Sequence, residues 1–92
     1  MRIEFDPAKS DRNRDERGLP FDRVSDFDIA GALLAVDERK AYGEVRYVAL
    51  GLLDGRLHVL CFTEAPDGIR VISLRKAHAR EVARYAKSKA TD

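Results

Sequence analysis

Two arginines interrupt apolar runs of the chain, and their side chains are suited to binding phosphate. Arg46 and Arg70 each have apolar neighbours, and burying an unpaired guanidinium is costly. Each must therefore be paired, for example with Glu44 or Glu64, or face an open surface of a sheet. If both share one face, they form a cationic clamp that fits phosphate oxygens and stabilises the charge that builds up during phosphodiester cleavage.

Three further residues near the C-terminus are candidates for RNA contacts. Arg75 and Lys76 follow the same apolar run as Arg70, at the junction between a strand and the last predicted helix. Lys76 gains nothing from the helix dipole at that end, where acids are preferred. Tyr85 can stack on a base or donate a proton, although a tyrosine on an amphipathic helix more often packs.

The charge of the chain is unevenly distributed. The formal net charge is +1, but residues 70–92 carry seven Lys or Arg and two Asp or Glu, a net +5, against −4 for residues 1–69. The C-terminal segment is therefore the predicted anion-binding end. A solvated basic helix would show the same pattern.

The sequence lacks the residues and motifs of most other kinds of active site. The chain has one cysteine, Cys61, in an apolar run, which indicates a buried hydrophobe rather than a thiol catalyst. His58 and His78 are the only histidines, so neither metal nor cofactor is predicted. There is no glycine-rich phosphate loop or nucleophile elbow. No apolar run would span a bilayer and the first residues lack a secretory signal, so we expect a cytoplasmic protein without membrane contact.

The N-terminal part predicts two helices. Asp6 and Pro7 form a good helix start, and Gly18 predicts the end of the helix after Arg17. This helix is almost entirely polar, so packing alone does not explain it. The spacing of Phe21, Val24 and Phe27 predicts a second, short helix with a core-facing side. Ile29–Val36 is a possible short strand, and Asp37–Gly43 is a predicted polar loop.

The remaining sequence predicts three antiparallel strands and a helix. Val45–Leu53 and Arg56–Thr63 flank the turn dipeptide Asp54-Gly55 and form a hairpin. Glu64–Gly68 is a second turn, followed by a strand at Ile69–Leu74. Lys76–Lys89 has helical composition and should dock weakly through a narrow stripe of Ala79, Val82, Ala83 and Ala86. We therefore predict a single α+β domain, residues 1–92, with two N-terminal helices, a meander of three to four strands and a C-terminal helix.

One segment of the chain is especially distinctive. Arg70 to Ala77 reads Arg-x-Ile-Ser-x-Arg-Lys-Ala and is followed by Glu81 and Tyr85. Further distinctive positions are Phe5 to Lys9, Asn13, Gly18, Phe21, Phe27, Asp28, Arg46, Tyr47, Gly51 and Phe62 to Glu64. With these residues, the chain resembles the BrnT toxins of bacterial type II toxin–antitoxin systems over about residues 4 to 85.

This resemblance implies a RelE-like fold, ribonuclease activity that arrests translation, and a BrnA-type ribbon-helix-helix antitoxin as partner. It also implies that the family's basic site falls on Arg46 and Arg70, with Arg75 and Lys76 nearby. One position departs from the family, whose first helix usually ends in Lys-His-Gly, because this chain has Glu16 and Arg17 before Gly18. Arginine stays protonated and cannot replace a histidine as general acid or base.

Three functions remain open from the sequence. In the first, a metal-independent ribonuclease holds the scissile phosphate with Arg46 and Arg70, binds flanking phosphates with Arg17, Arg75 and Lys76, and uses the substrate 2′-hydroxyl as nucleophile. In the second, a catalytically weak or inactive relative binds an antitoxin and helps to regulate its promoter. In the third, the domain binds RNA without cleaving it.

Overall fold

The computed structural model describes residues 1–38 and 43–90. They form one mixed five-stranded sheet with strand order β1-β5-β4-β3-β2, together with helices, so the predicted α+β class is confirmed. The elements are β1 (Arg2–Glu4), α1 (Pro7–Arg17), the 3₁₀ helix η1 (Phe21–Asp26), β2 (Leu33–Val36), β3 (Arg46–Leu53), β4 (Arg56–Ala65), β5 (Gly68–Lys76) and α2 (Ala79–Ala90).

Two details of the predicted architecture were wrong. The sheet is not an antiparallel meander of three to four strands, because β1 adds a fifth strand that pairs in parallel with β5. The second predicted helix is a 3₁₀ helix, so the N-terminal region has a single α-helix. β1 has three residues, and its partner Gly68 lies far along the chain, so no local pattern marks it.

The ends of α1 are those the sequence predicts. Asp6 is the N-cap, and its carboxylate accepts a hydrogen bond from the Ala8 N–H at 2.9 Å. Gly18 ends the helix in the left-handed conformation with φ 72°, which suits a residue without a Cβ. The polar helix does have a packed side, since Ser10 and Asn13 are buried. Polar side chains therefore carry the contacts between α1 and the rest of the domain.

Both predicted turns are present. Asp54 and Gly55 have φ values of 53° and 74°, the left-handed pair that a two-residue hairpin turn between β3 and β4 requires. Asp67 has φ 64° in the turn between β4 and β5. A bulge between Cys61 and Phe62 shifts the β4–β5 register. The register of both hairpins determines which strand residues become neighbours at the candidate site.

The core lies mainly on one face of the sheet, which we call the core face. Strand residues such as Leu60 and Leu74 pack there against Phe21 and Val24 of η1. The opposite face, which we call the open face, carries a smaller cluster of Leu50, Leu57 and Val59. Cys61 is buried, as predicted from its apolar surroundings.

Helix α2 begins at Ala79, three residues later than predicted, because the sheet continues further. Lys76 still pairs with His58, and the Ala77 N–H donates to the Leu57 carbonyl at 3.0 Å. The predicted docking stripe was wrong, since Ala79, Val82, Ala83 and Ala86 are all exposed. The half-buried residues of α2 are Glu81, Tyr85 and Ser88, because Tyr85 packs on the open-face cluster and Glu81 binds Arg75.

The segment before β3 is described in part. The possible strand within 29–36 is present as β2, which pairs with β3 in antiparallel orientation. The predicted polar loop at 37–43 includes residues 39–42, which lie outside the described residues. No helix in the described parts of the chain is long and apolar enough to cross a membrane.

Candidate functional site

Arg46 and Arg70 lie on the same face of the sheet. Thr63 of β4 pairs with Arg46 of β3 on one side and with Arg70 of β5 on the other. Directly paired residues of antiparallel strands point to one face, so all three share the open face with Val59 and Cys61. With neighbouring strands about 4.8 Å apart, the Cα atoms of the two arginines are about 10 Å apart. Their long side chains are therefore within reach of one bound phosphate.

Arg70 is already engaged by an acid in this structure. Its Nη2 donates to both carboxylate oxygens of Glu44, at 2.9 and 2.8 Å. This is the acid pairing that the sequence left open for Arg70. The Arg70 side chain remains 45% exposed, so a phosphate can reach it, but only in competition with Glu44. Arg46 is half-buried, and its Nε atom is buried.

Glu64 was the other acid that the sequence offered as a partner for the two arginines, and it binds a different residue. Its Oε1 accepts a hydrogen bond from the Tyr47 hydroxyl at 2.9 Å. That hydrogen bond, reinforced by the negative charge of Glu64, raises the pKa of Tyr47 above its ordinary value. The Tyr47 ring stacks on Phe62 with centroids 5.5 Å apart. Glu64 is therefore held at Tyr47, on the core face, rather than at the two arginines.

Arg17, Arg75 and Lys76 gather at the other end of β5. They line a pocket of about 480 Å³ whose full lining is Arg17, Leu19, Arg75, Lys76, Ala77 and His78. Arg75 pairs with Val59, four residues along β4 from Thr63, a separation of about 13 Å at the usual rise of a strand. Arg70 instead lines a separate pocket with residues 2–7. The predicted site residues thus form two groups.

Asn13 fixes the position of Arg17. The Asn13 side chain is 5% exposed, and its Nδ2 donates to the carbonyls of Leu19 and Leu74 at 2.6 and 2.9 Å. Its Oδ1 accepts a hydrogen bond from Arg17 Nη1 at 2.8 Å. One buried amide therefore ties the end of α1 to the end of β5 and orients a cation between them.

Arg75 forms a two-point pair with Glu81 of α2. Its Nη1 and Nη2 each donate to one carboxylate oxygen at 2.9 Å, and Glu81 also accepts from the His78 N–H at 2.8 Å. The Arg75 hydrogen bonds are the main cause that lowers the pKa of Glu81 to about 2, against the opposing effect of burial. Glu81 balances the charge of Arg75. Because this pair joins β5 to α2, Arg75 anchors the helix as well as lining the pocket.

A groove of about 690 Å³ runs along the open face between β2 and α2. Its floor consists of small and apolar side chains from three strands, including Val48, Cys61 and Ser73. Its lining also includes Arg17, Arg75 and Arg84 together with the acids Asp37, Glu38 and Glu81. Next to the pair of Cys61 and Ser73, the open face carries three residues side by side on three strands: Arg46, Thr63 and Arg70. We call these three residues the arginine row.

Tyr85 is placed by packing. It is half-buried against the apolar cluster of the open face, and Lys89 Nζ lies 5.5 Å from the centre of its ring. The ring therefore faces the sheet. Its predicted role in stacking on a base stays a prediction.

Two positioning residues, Asn13 and Glu81, were marked in the sequence only as positions of the family resemblance, with no role assigned to either. Asn13 is also three residues from Ser10, so both lie on one side of the polar helix. Glu81 is one of many charged residues in the C-terminal segment, and its partner Arg75 depends on where α2 begins. Within the described residues, no group of three or more His, Cys, Asp or Glu is arranged to hold a metal ion.

The chain matches the model of a known protein family. The family model described as "Ribonuclease toxin, BrnT, of type II toxin-antitoxin system" matches residues 5–81. This range includes α1 and the strands β2 to β5. It also includes the basic residues Arg17, Arg46, Arg70, Arg75 and Lys76. No curated protein and no solved structure matches the chain.

Proposed function

Because the chain belongs to the BrnT family of ribonuclease toxins of type II toxin–antitoxin systems, we propose that it is a metal-independent endoribonuclease. In this proposal it cleaves RNA in the cytoplasm, inhibits translation, and is neutralised by a BrnA-type ribbon-helix-helix antitoxin. The family match supports a ribonuclease toxin with an antitoxin partner. The residues that bind and cleave RNA are inferred from the arrangement of the described cations.

The observation that carries the proposal is the shared row of Arg46, Thr63 and Arg70. Two guanidinium groups on one face of a sheet provide the bidentate donors that suit phosphate. The groove beside this row leads to a second group of cations at Arg17 and Lys76. A single RNA strand lying along the groove would place one phosphate at each end and a base over the apolar floor.

The chemistry needs no metal-bound water, because the nucleophile belongs to the substrate. The 2′-oxygen of the RNA bonds to phosphorus, the bond from phosphorus to the 5′-oxygen breaks, and a 2′,3′-cyclic phosphate and a free 5′-hydroxyl result. Arginine side chains near the phosphate stabilise the extra negative charge of the transition state. Removing one such donor typically costs about 10²- to 10³-fold in rate.

Growth arrest in cells tests the proposal. The double variant Arg46→Ala, Arg70→Ala should abolish arrest while the protein stays folded, because neither side chain belongs to the core clusters. The double variant Arg56→Ala, Arg80→Ala is the matched control, since it removes two exposed arginines elsewhere on the surface. Undiminished arrest by the folded Arg46 and Arg70 variant would refute the assignment of these residues.

One observation favours the second candidate, an antitoxin-binding module with weak or no cleavage. Glu44 occupies the guanidinium of Arg70, and Arg17 cannot exchange a proton in the way that a histidine does. Purified protein in large excess over RNA, in the presence of a chelator, separates the candidates. Intact RNA would favour the binding module, and metal-independent cleavage would exclude it.

A further inference from the structure

His78 shares a pocket with the cations at the end of α1 and β5. The pocket of about 480 Å³ has Arg17 and Leu19 from the end of α1 on one side, and Arg75, Lys76 and His78 from the end of β5 and the start of α2 on the other. None of its lining residues is acidic. Glu81 balances the charge of Arg75, so Arg17 and Lys76 make this concavity electropositive toward an anion such as an RNA phosphate.

Both sides of this pocket are fixed by hydrogen bonds. Arg17 is bound by Asn13, whose amide also holds the Leu74 carbonyl. His78 follows Ala77, whose N–H donates to the Leu57 carbonyl at 3.0 Å, and its own N–H donates to Glu81 at 2.8 Å. The backbone that carries the imidazole is thus held between the sheet and α2. Such support keeps reacting groups in place without reorganisation during the reaction.

The side chains of the pocket divide into two chemical roles. Arginine and lysine remain charged near neutral pH, so Arg17 and Lys76 bind phosphate oxygens but exchange no proton there. Imidazole is the side chain suited to proton transfer near neutral pH. Among the described residues that line this pocket, His78 is the one that combines access to the anion with that ability.

We propose that His78 is the general acid of RNA cleavage and that Arg17 and Lys76 bind the scissile phosphate. The proposal rests on the ribonuclease function proposed above and locates the reaction within it. The protonated imidazole gives its proton to the 5′-oxygen as the bond from that oxygen to phosphorus breaks. The 2′-hydroxyl, whose oxygen bonds to phosphorus, releases its proton to water, and the neutral imidazole then regains a proton from water.

This assignment moves the scissile phosphate from Arg46 and Arg70, where the sequence-based hypothesis placed it, to the pocket at the end of β5. Because Thr63 and Val59 are four residues apart along β4, the arginine row lies about 13 Å from Arg75 and its pocket. Arg46 and Arg70 then hold a phosphate further along the same strand. Their removal weakens RNA binding more than it slows the chemical step, whereas removal of His78 slows the chemical step.

The experiment uses a short RNA in which the bridging 5′-oxygen of the mapped cleavage site is replaced by sulfur. A thiolate leaves without protonation, so this substrate does not need a general acid. His78→Asn is the test variant, because asparagine is a good N-cap at the residue before α2 and preserves folding. Arg80→Ala, an exposed basic change on the same helix, is the matched control.

We expect His78→Asn to cleave the ordinary RNA about 10²-fold or more slowly than the unchanged protein, within the usual range for general acid catalysis. It should cleave the sulfur substrate at nearly the unchanged rate. The rate with ordinary RNA should fall as pH rises, because the acid must be protonated, and this fall should disappear in His78→Asn. The charged groups that face His78 are Arg17 from α1, Arg75 and Lys76 from β5, and Glu81 from α2.

Each outcome separates this proposal from the ribonuclease function. If the unchanged protein cleaves RNA and His78→Asn cleaves it equally fast, His78 is not the acid and the ribonuclease function stands. Equal losses on the oxygen and sulfur substrates would also overturn the acid role. If the unchanged protein cleaves neither substrate in a chelator, the ribonuclease function itself fails.

Discussion

The side-chain amide of Asn13 donates a hydrogen bond to the main-chain carbonyl of Leu74, 2.9 Å away, and so joins α1 to the last core residue of β5. The two residues are 61 positions apart in the sequence. Leu74 is fully buried, and the two residues after it are Arg75 and Lys76. A single side chain therefore determines how the cation at the end of α1 meets the cations at the end of the sheet.

Replacing Asn13 should destabilise the fold and displace Arg17. Asn13→Ala leaves the Leu19 and Leu74 carbonyls without their donor and should cost about 1 to 3 kcal/mol in the free energy of unfolding, measured by denaturant titration. Asn13→Asp also removes the donor but keeps an oxygen for Arg17. Glu16→Ala, an exposed change on the same helix, is the control. Equal stability of Asn13→Ala and Glu16→Ala would contradict the role of the amide.

The Arg75 and Glu81 pair should make stability depend on acid pH. The pKa of Glu81 is lowered to about 2, whereas an unfolded glutamate titrates near 4.3, so the pair contributes above that value and its contribution is lost as pH falls toward 2. Glu81→Gln should lower the free energy of unfolding by about 1 kcal/mol at pH 7, since the pair is partly exposed. The difference from the unchanged protein should shrink between about pH 5 and pH 2.

Arg75→Gln tests the same pair from its other side. Removing the cation should weaken the pH dependence of unfolding over the same range, because Arg75 is the main cause of the Glu81 shift. Thermal melts at several pH values measure both variants. A Glu81→Gln variant that retains the unchanged protein's dependence between pH 5 and pH 2 would show that another carboxylate is responsible.

Removing Glu44 should strengthen RNA binding through Arg70. The carboxylate competes with phosphate for Nη2, so Glu44→Ala should tighten binding and increase the slope of log affinity against log salt by about 0.7 for one added phosphate contact on a single strand. Glu64→Ala removes the same charge from a neighbouring position where the partner is Tyr47. The idea fails if both variants change the salt slope equally, since net charge alone would then explain the effect.

Gly68 should not tolerate a side chain. A Cβ at Gly68 would lie 1.8 Å from the Arg2 carbonyl oxygen, at the point where β1 pairs with β5. Gly68→Ala should therefore separate β1 from the sheet and increase hydrogen exchange at Ile3 and Glu4. Gly55→Ala is an informative comparison, because nothing lies within 4 Å of its Cβ position and its cost comes from the positive φ. Unchanged exchange at β1 in Gly68→Ala would contradict this account.

Structural features that depend only on residues close together in the chain were predictable from the sequence. The caps of α1 at Asp6 and Gly18 and the hairpin turn at Asp54 depend on the conformational preferences of the residues themselves. The apolar runs also predicted that Arg46 and Arg70 lie within strands, and they lie in β3 and β5. The family resemblance identified in the sequence was likewise confirmed by the family match over residues 5–81.

Features that depend on distant partners were not predictable. β1 forms because Arg2 pairs with Gly68 of β5. Helix α2 begins later than predicted because the Ala77 N–H still donates a hydrogen bond to the Leu57 carbonyl. The predicted docking stripe of α2 failed for a related reason. Hydrophobic spacing describes an isolated helix, but in the fold the Arg75 and Glu81 pair and the packing of Tyr85 hold a different side of this helix against the sheet.

By itself, the sequence determined which cations this protein carries and which local elements hold them, because helix caps, tight turns and strand alternation act over a few residues. Tertiary structure decided which of those cations meet: Arg46 and Arg70 share a row through Thr63, and Arg17 shares a pocket with Lys76 and His78. Strand register and one buried amide set these distances, and both are contacts between segments that the chain order leaves far apart.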